Sequence, residues 1–503
     1  MKKTCKDEKR SPLHRRAAGR CRNMAAVCLA RTAAGFSRLA GHQGSSLPGK
    51  AASVVSPSVL ADLAGQVRRS VFAVCGTNGK TTVNNILCRL LEAEGSRVVC
   101  NRVGANMPAG ITGAFTAAAS LTGRLDADYA CLEVDEASAR LVFGAVRPDY
   151  LILTNLFRDQ LDRYGEIDTT MELLKDAITQ VPEMTLIVNA DDPLTVSLAA
   201  EAGNPAVYYG IRDGVTGSGS GGGGATGPGP GGGPGGEVRE GRFCRRCGAP
   251  LVYSRIYYGQ MGVWHCPGCG FRRPEPRYQA SGICTEGGIS FSVFEAAAVG
   301  KADAAGQVTS GLRGLYNVHN LLAVWSALRE DGHSCAASFS AVMREYRPPF
   351  GRNEAFRIGQ TEVILNLAKN PAGFNQNIDA MLEDRDPKRL VIAINDNDQD
   401  GRDVSWLWDV AFEKVRDTTV KSVTVSGIRA LDMRLRLRYE DISAEIAETP
   451  EQALERLLAE GHERIYALVN YTALFPVHRF LQQAESRDRK SKTVGNWEKG
   501  RLP

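Results

Sequence analysis

Apolar residues along the chain form short continuous runs that alternate with stretches at helical spacing. The run Val71–Cys75 is followed by a glycine-containing loop, which predicts a buried parallel strand. After the loop, apolar side chains recur at helical spacing from Val83 to Leu91, and Gly95 stands where a helix C-cap belongs. Similar strand runs lie at 97–100, 129–134, 150–154 and 186–189. Strands alternating with helices predict a doubly wound α/β domain.

The alternating pattern is interrupted and then resumes, which predicts two α/β domains. Residues 214–236 contain fourteen glycines, as expected for a flexible linker. Beyond it, we predict a strand at 287–294 and a helix at 316–328. Four further strands, at 362–367, 389–395, 422–426 and 464–470, indicate a second, smaller domain. The predicted division is a basic tail at 1–48, disordered in part, a central α/β domain at 49–350, a C-terminal α/β domain at 351–480 and a polar tail at 481–503.

Composition narrows the class of protein. Of 503 residues, 43% are hydrophobic and 23% are charged, which excludes a wholly disordered, collagen-like or coiled-coil chain. The net charge of +5 is concentrated in the first 22 residues, so it does not by itself indicate a nucleic-acid-binding protein. The sequence contains no run of about 18 apolar residues, the length needed to span a bilayer.

Targeting signals are weak, and we expect a cytoplasmic protein. The Ala-rich stretch Met24–Ala34 follows basic residues, as in a signal peptide, but Arg31 interrupts it and no clear cleavage site follows. Nine of the thirteen cysteines are scattered, as expected in a reducing compartment. The basic segment from Lys2 to Arg22 would add a weak attraction to the inner face of the membrane, or has no role.

The segment Gly-Thr-Asn-Gly-Lys-Thr-Thr between the first strand and its helix predicts a phosphate-binding loop. Glycines allow backbone N–H groups to turn around an anion, and the helix N-terminus adds a positive dipole. In the general P-loop pattern a glycine stands where this chain has Val74, and the plain alternative is a glycine turn before a helix. The predicted ATP-binding residues of this loop are Gly76, Thr77, Asn78, Gly79, Lys80, Thr81 and Thr82.

A carboxylate at the end of the strand at 129–134 is the second candidate for chemistry. Glu133 would face the ligand crevice at the carboxyl edge of the sheet and share Mg²⁺ with the Thr81 hydroxyl. Asp135 and Glu136 compete for this role, and a solvated acidic loop is the alternative. We predict that Lys80 and Glu133 take part in catalysis.

Four cysteines between residues 243 and 272 predict a zinc ribbon. Cys244 and Cys247 form one Cys-x-x-Cys pair and Cys266 and Cys269 form another, and two such turns supply a tetrahedral Zn²⁺ site. Because four thiolates close the coordination shell, the site would be structural. A redox role for either pair is the alternative.

Several motifs together resemble the central ATPase domain of the Mur ligases. They are the loop at 76–82, Thr154–Asp162 (TNLFRDQLD), Asn189–Pro193 (NADDP) and Tyr316–Asn320 (YNVHN). The resemblance implies activation of a carboxylate as an acyl phosphate by ATP, followed by attack of a nitrogen nucleophile. It also implies that Asn317 and Asn320 contact the adenine side of the nucleotide, and that Arg352 opens a C-terminal domain and belongs to the ATP site.

Two departures from the Mur ligase pattern indicate a different nucleophile. The members of that family that add amino acids have a histidine where this chain has Gln160. Their motif for the incoming amino acid is replaced here by Asn366–Pro371 (NLAKNP). A site that lacks those groups suits a smaller nucleophile, such as ammonia.

The zinc ribbon and the segment Asp400–Asp409 (DGRDVSWLWD) resemble specifically the MurT family, the synthetase subunits of lipid II isoglutaminyl synthases. This resemblance implies amidation of the α-carboxylate of D-glutamate in the lipid II stem peptide. It also implies a GatD-like glutamine amidotransferase partner whose Cys-His pair receives an aspartate from this chain. We predict Asp403 for that role, with Asp400 and Asp409 as alternates.

Two other functions are compatible with parts of the sequence. The first is a stand-alone ligase that adds an amino acid, as Mur ligases and folylpolyglutamate synthetases do. The second is a zinc-ribbon nucleic-acid-binding protein with a regulatory ATPase, because five arginines surround the ribbon. They are Arg245, Arg246, Arg255, Arg272 and Arg273. We expect no nucleic-acid partner.

Overall fold

The computed structural model describes residues 12–39, 46–101, 105–159, 167–212, 240–296, 302–348, 351–461 and 464–499. The predicted glycine linker at 214–236 and Gln160 lie outside these ranges. The described residues form two α/β units, each built on its own sheet. The predicted fold class is therefore confirmed.

The first unit contains a nine-stranded sheet with the strand order β11-β10-β9-β6-β5-β4-β1-β3-β2. Strands β1 to β6 and β9 are mutually parallel, whereas β9, β10 and β11 are paired antiparallel. The strands are β1 (Val71–Cys75), β2 (Val98–Cys100), β3 (Tyr129–Glu133), β4 (Tyr150–Leu153), β5 (Thr185–Asn189), β6 (Ala206–Ile211), β9 (Tyr278–Cys284), β10 (Ile289–Ala296) and β11 (Ala302–Ser310). A separate hairpin joins β7 (Val252–Tyr258) to β8 (Met261–His265).

Helices cover both faces of this sheet, which explains why its central strands are continuously apolar. Alternate residues of β1 enter two different hydrophobic clusters, with Val71 and Ala73 in one and Phe72 and Val74 in the other. The helices are α1 (Pro12–Leu39), α2 (Leu47–Val55), α3 (Val59–Ala64), α4 (Lys80–Ala93), α5 (Pro108–Ala118), α6 (Ala139–Val146), α7 (Ile167–Thr179), α8 (Pro193–Ala202), α9 (Tyr316–Glu330) and α10 (Ala336–Glu345).

The second unit contains a six-stranded sheet with the order β12-β13-β17-β14-β15-β16, parallel except for the edge strand β12. Its strands are β12 (Glu354–Ile358), β13 (Thr361–Leu367), β14 (Lys388–Ala393), β15 (Val420–Ser426), β16 (Ala444–Ile446) and β17 (Arg464–Val469). Its helices are α11 (Pro371–Leu382), α12 (Ala430–Arg438), α13 (Pro450–Glu460) and α14 (Tyr471–Lys499). Short 3-10 helices span Ser405–Asp409 and Phe412–Arg416.

The terminal segments differ from the predicted tails. Most of the segment 1–48 that the structure describes is the helix α1, whose residues Asn23, Ala26, Val27 and Ala30 are buried. Their spacing places them on one helical face, which packs into the core of the first unit and anchors this helix. At the other end, α14 continues through residue 480, and Leu481 is still buried. The predicted boundary at 480 therefore lies inside a helix.

Candidate functional site

The phosphate-binding loop connects β1 to α4 at the carboxyl edge of the first sheet. Gly76 and Gly79 have φ angles of 127° and 89°, in the region that favours glycine. A side chain at Gly76 would also meet the Thr154 hydroxyl oxygen at 2.3 Å, so only glycine fits there. Both glycines that the sequence marked are therefore required by the geometry of the turn.

The strand end after β4 supports this loop. Backbone N–H of Thr77 donates to Asn155 O at 2.8 Å, and backbone N–H of Asn78 donates to Asn155 Oδ1 at 2.9 Å. The Thr154 hydroxyl donates to Asn78 O at 2.8 Å, and Thr77 Oγ1 donates to Phe157 O at 2.8 Å. The motif Thr154–Phe157 thus holds the loop in its bent conformation.

Lys80 begins α4 and is buried against acidic side chains. Its Nζ lies 2.8 Å from Glu136 Oε1, which also accepts the backbone N–H of Gly76 at 2.8 Å. Burial opposes the charge of Lys80, but the carboxylates of Glu136 and Glu133 outweigh it and raise the pKa of the lysine. Lys80 therefore carries its positive charge at the phosphate loop.

Glu133, at the end of β3, has an oxygen available for a cation. Its side chain is buried, Oε1 accepts from Asn106 Nδ2 at 3.3 Å, and Oε2 has no hydrogen-bond partner among the described residues. A buried carboxylate oxygen without a partner is costly unless a ligand completes its shell. Glu136 is engaged by Lys80, whereas Glu133 has the chemistry of a Mg²⁺ ligand.

The predicted adenine-side asparagines lie next to the loop. A side chain at Gly79 would meet Asn320 Oδ1 at 2.2 Å, which shows how closely α9 approaches the loop. Asn320 Nδ2 donates to Asn317 Oδ1 at 2.9 Å, and Asn317 in turn donates to Arg313 O at 2.8 Å. The tertiary structure therefore brings the 76–82 and 316–320 motifs together.

A buried network that the sequence did not reveal connects the ribbon to the ATPase core. Asp191 is fully buried and accepts from Arg273 Nε at 2.6 Å, while its other oxygen lies 2.7 Å from His319 Nε2. Tyr258 OH lies 2.9 Å from Nδ1 of the same histidine. Burial raises the pKa of Asp191, but Arg273 and His319 outweigh it, so the net pKa is lowered. No periodicity or spacing pairs residues this far apart in sequence.

The C-terminal unit reaches the same edge of the first sheet. Lys369 Nζ lies 2.5 Å from Asp159 Oδ2, and Asn370 Nδ2 donates to Asp159 Oδ1 at 3.3 Å and to Asn78 Oδ1 at 3.4 Å. Arg352 Nη2 donates to Thr81 Oγ1 at 3.4 Å. The segment that replaces the amino-acid motif of the Mur ligases therefore contacts the phosphate loop directly.

The four predicted zinc ligands converge. Their sulfur atoms lie within 4.8 Å of one another, with Cys244 and Cys269 at 3.6 Å and Cys247 and Cys266 at 3.4 Å. Tetrahedral Zn²⁺ with Zn–S bonds of about 2.3 Å places sulfurs about 3.8 Å apart, so the cluster fits this ion. Gly248 and Gly270, which follow the pairs, have φ angles of 75° and 73°, as tight knuckles require.

The three candidate aspartates have different surroundings. Asp400 is buried and accepts the backbone N–H of Thr472 at 2.9 Å, so it anchors the start of α14. Asp409 Oδ2 lies 3.4 Å from Arg158 Nη1 of the first unit. Asp403 is half-exposed, and its Oδ1 accepts the backbone N–H of Ser405 at 2.8 Å. Asp403 and Asp409 are thus partly exposed, whereas Asp400 is buried.

Comparisons with known proteins agree with this geometry. The family model described as "Mur ligase middle domain" matches residues 74–218, and the one described as "MurT ligase C-terminal" matches residues 367–474. The MurT subunit of lipid II isoglutaminyl synthase (glutamine-hydrolyzing) from Staphylococcus aureus N315 is 34% identical over 92% of this chain and 98% of its own length. The chain belongs to the MurT family. The Streptococcus pneumoniae R6 MurT subunit is 33% identical over 87% of this chain and 92% of its own length.

Solved structures show the same fold as this MurT-family chain. A pseudomurein peptide ligase type C from Methanothermus fervidus aligns with a TM-score of 0.60 and 19% identity, over 84% of this chain and 80% of its own. MurF ligase from Thermotoga maritima in complex with ADP aligns with a TM-score of 0.58 and 14% identity, over 86% of this chain and 84% of its own. The resemblance to the Mur ligases and to the MurT family is confirmed.

Proposed function

We propose that this chain is the synthetase subunit of a lipid II isoglutaminyl synthase. It uses ATP to convert the α-carboxylate of D-glutamate in the lipid II stem peptide to the amide, giving D-isoglutamine for peptidoglycan synthesis. The main support is the similarity of this chain to a relative that is named for that activity, over 98% of the length of the relative. The phosphate loop, the buried Lys80 and the approach of the C-terminal unit supply the parts that such a reaction needs.

ATP is bound by residues Gly76–Thr82, with Asn317, Asn320 and Arg352 around it. A carboxylate oxygen of the substrate attacks the γ-phosphorus and ADP leaves, which forms an acyl phosphate. Ammonia then attacks the acyl carbon, phosphate leaves and the nitrogen loses a proton. Lys80 offsets the charge on the transferring phosphoryl group from a buried position, where electrostatic interactions are strong.

Magnesium and zinc have different roles in this proposal. Thr81 and Glu133 would hold Mg²⁺, which supplies charge neutralisation to the phosphates when bound. Cys244, Cys247, Cys266 and Cys269 would hold structural Zn²⁺. The ribbon that the zinc closes contributes Arg273 to the buried Asp191–His319 network, so it also positions α9 and its asparagines.

Ammonia would come from a GatD-like glutamine amidotransferase. The relatives from Staphylococcus aureus and Streptococcus pneumoniae are named as subunits of a glutamine-hydrolysing enzyme. In this chain Cys335 contacts the backbone oxygen of His333, but burial raises the pKa of its thiol to about 12, which argues against a nucleophile there. Asp403 would orient the histidine of the partner's Cys-His pair, the usual role of the third member of a catalytic triad.

An apolar surface close to Asp403 in sequence fits a protein partner. Trp408, five residues further on, is 52% exposed and makes an edge contact with Tyr439, which is 69% exposed. Leu431 and Leu435 of α12 are also exposed. Exposed aromatic residues in such a patch are typical of interface hot spots.

The decisive experiment is co-expression with a neighbouring glutamine amidotransferase, followed by amidation of lipid II. We expect amide formation that requires ATP and either glutamine with the partner or ammonium without it. Release of ADP with free amino acids but not with ammonium would instead support the stand-alone ligase. No ATP consumption under any of these conditions would contradict the proposal.

A nucleic-acid function has less support from the structure. Arg273 is paired with Asp191, Arg245 with Asp168, and Arg246 stacks over Phe271 with 4.0 Å between the guanidinium carbon and the ring centre. These arginines of the ribbon are therefore engaged within the chain. We propose a cytoplasmic protein that contacts its lipid-linked substrate at the inner face of the membrane.

A further inference from the structure

The N-terminal helices have an unusual charge pattern. Between Glu8 and Asp62 the sequence contains no acidic residue, and it contains nine basic ones: Lys9, Arg10, Arg15, Arg16, Arg20, Arg22, Arg31, Arg38 and Lys50. Helices α1 and α2 both lie in this segment. Any surface they present to a partner is therefore uniformly positive or neutral.

Both helices pack on the first unit. Asn23 Nδ2 donates to Asp62 Oδ2 at 3.0 Å, and Asn23 Oδ1 accepts from the Ser56 hydroxyl at 2.8 Å. The buried Ala26, Val27 and Ala30 of α1 belong to the core cluster of that unit. Helix α1 is thus anchored, and its exposed residues are held in a defined orientation.

Both helices also present large apolar residues to solvent. Leu29 and Phe36 of α1 are 43% and 68% exposed, and Leu47 and Val54 of α2 are 51% and 84% exposed. Within each pair the two residues are seven positions apart, which places them on the same side of a helix. Arg22 and Lys50, both exposed, lie on the same two helices. Four large apolar residues and two cations of these helices are therefore open to solvent.

A bilayer surface rich in anionic phospholipid matches both properties. Its interface accepts Leu, Val and Phe side chains, and its charge attracts Arg and Lys. None of the described helices has both the length and the apolar character needed to cross a bilayer, so the contact would lie in the interface. A lipid-linked substrate, which rests on the proposed function, would require the enzyme to work at such a surface.

We propose that the exposed side of α1 and α2, formed by Leu29, Phe36, Leu47 and Val54 with Arg22 and Lys50, docks on an anionic phospholipid bilayer. This docking face would hold the enzyme at the membrane where its substrate lies. It would do so independently of the phosphate loop and of the amidotransferase partner.

Co-sedimentation of the full chain with vesicles tests this proposal. We expect binding to vesicles of phosphatidylcholine with phosphatidylglycerol, little binding to phosphatidylcholine alone, and weaker binding at high salt. The double variant Leu29→Ser/Phe36→Ser should lower the apparent affinity at least about tenfold, because burial of both side chains is lost. Arg22→Gln/Lys50→Gln should weaken binding only to the anionic vesicles.

Leu141→Ser is the matched control, since Leu141 is 70% exposed on α6 and outside the docking face. Equal vesicle binding by wild type and the Leu29/Phe36 variant, with equal melting temperatures, would overturn the proposal. So would a wild-type chain that binds no anionic vesicles. Loss of self-association, or of amidotransferase binding, in the docking-face variant with unchanged vesicle binding would assign the face to a protein instead.

Activity on a water-soluble stem-peptide substrate separates the two proposals. The docking-face variants should amidate that substrate at the wild-type rate and lose activity only on lipid II in anionic vesicles. If the wild type amidates no substrate but still binds vesicles through this face, the proposed function fails and the docking face stands. If amidation succeeds on both substrates without vesicle binding, the docking face fails alone.

Discussion

Lys369 Nζ and Asp159 Oδ2 lie 2.5 Å apart and join the C-terminal unit to the ATPase unit beside the phosphate loop. Both side chains are largely buried. Burial opposes the charge of Lys369, but Asp159 outweighs it and raises the pKa of the lysine. A buried pair of this kind specifies one relative position of the two units at the site.

Breaking this ion pair should lower activity. Asp159→Asn would leave Lys369 buried without its counter-ion, and we expect ATP turnover to fall at least about tenfold. The measurement is ADP release with lipid II and ammonium. Glu201→Gln, which alters an exposed ion pair with Lys175, is the control and should keep the wild-type rate. Full activity of the Asp159 variant would show that the pair does not position the site.

Lys80 should be required for phosphoryl transfer. Lys80→Met removes the positive charge that the 76–82 segment places at the phosphates, and we expect kcat to fall about 10³-fold. Glu136→Gln keeps the acceptor for the backbone N–H of Gly76 and should reduce kcat far less. Single-turnover assays of ADP formation would show the difference. Similar losses in both variants would indicate that the Lys80–Glu136 pair itself is the essential feature.

Substitutions of the candidate aspartates should have different effects on amidation and on stability. Asp403→Asn should abolish glutamine-driven amidation and spare ammonium-driven amidation, because the proposed role of the Asp403 carboxylate is only to orient the partner's histidine. Asp400→Asn should lower the melting temperature, since buried Asp400 accepts two hydrogen bonds from Thr472. Loss of both activities in the Asp403 variant, without loss of stability, would move Asp403 into the synthetase site.

Removing the ribbon metal should destabilise the chain. We expect one zinc per chain by elemental analysis, and Cys247→Ser or a strong chelator should lower the melting temperature by about 5 °C or more. Cys284→Ser, outside the cluster, is the control and should retain the metal. A chain that has no zinc and keeps its melting temperature after chelation would contradict the structural role.

Glu240 should make stability depend on pH. Burial raises the pKa of Glu240 from 4.5 to about 7, so the folded chain keeps a proton that the unfolded chain releases. The free energy of unfolding therefore falls as pH rises from about 4.5 to about 7 and then levels. Urea midpoints for wild type and Glu240→Gln should differ in this window, with the variant less sensitive to pH. Burial also raises the pKa of Asp192 to about 7, and its charge raises the pKa of Glu240, so the difference between the two profiles includes this interaction. Parallel pH profiles would contradict this assignment.

Local sequence determined the phosphate loop, the four-cysteine cluster and most parallel strands. Gly76 and Gly79 are needed for φ angles that other residues avoid, and Cys-x-x-Cys pairs bring two sulfurs onto one turn. Runs such as Val71–Cys75 are apolar on both faces because helices cover both sides of the sheet. In each case the physical requirement acts over a few consecutive residues, so a single sequence displays it.

Only the tertiary structure decided which distant groups meet. The fold pairs Lys80 with Glu136 and leaves Glu133 Oε2 without a hydrogen bond from the described residues. It also joins Asp191 to Arg273 and His319, and it brings Lys369 to Asp159. It also places residues 12–39 of the predicted N-terminal tail in the anchored helix α1. These outcomes depend on packing between segments far apart in sequence, where burial and charge are set by the whole fold.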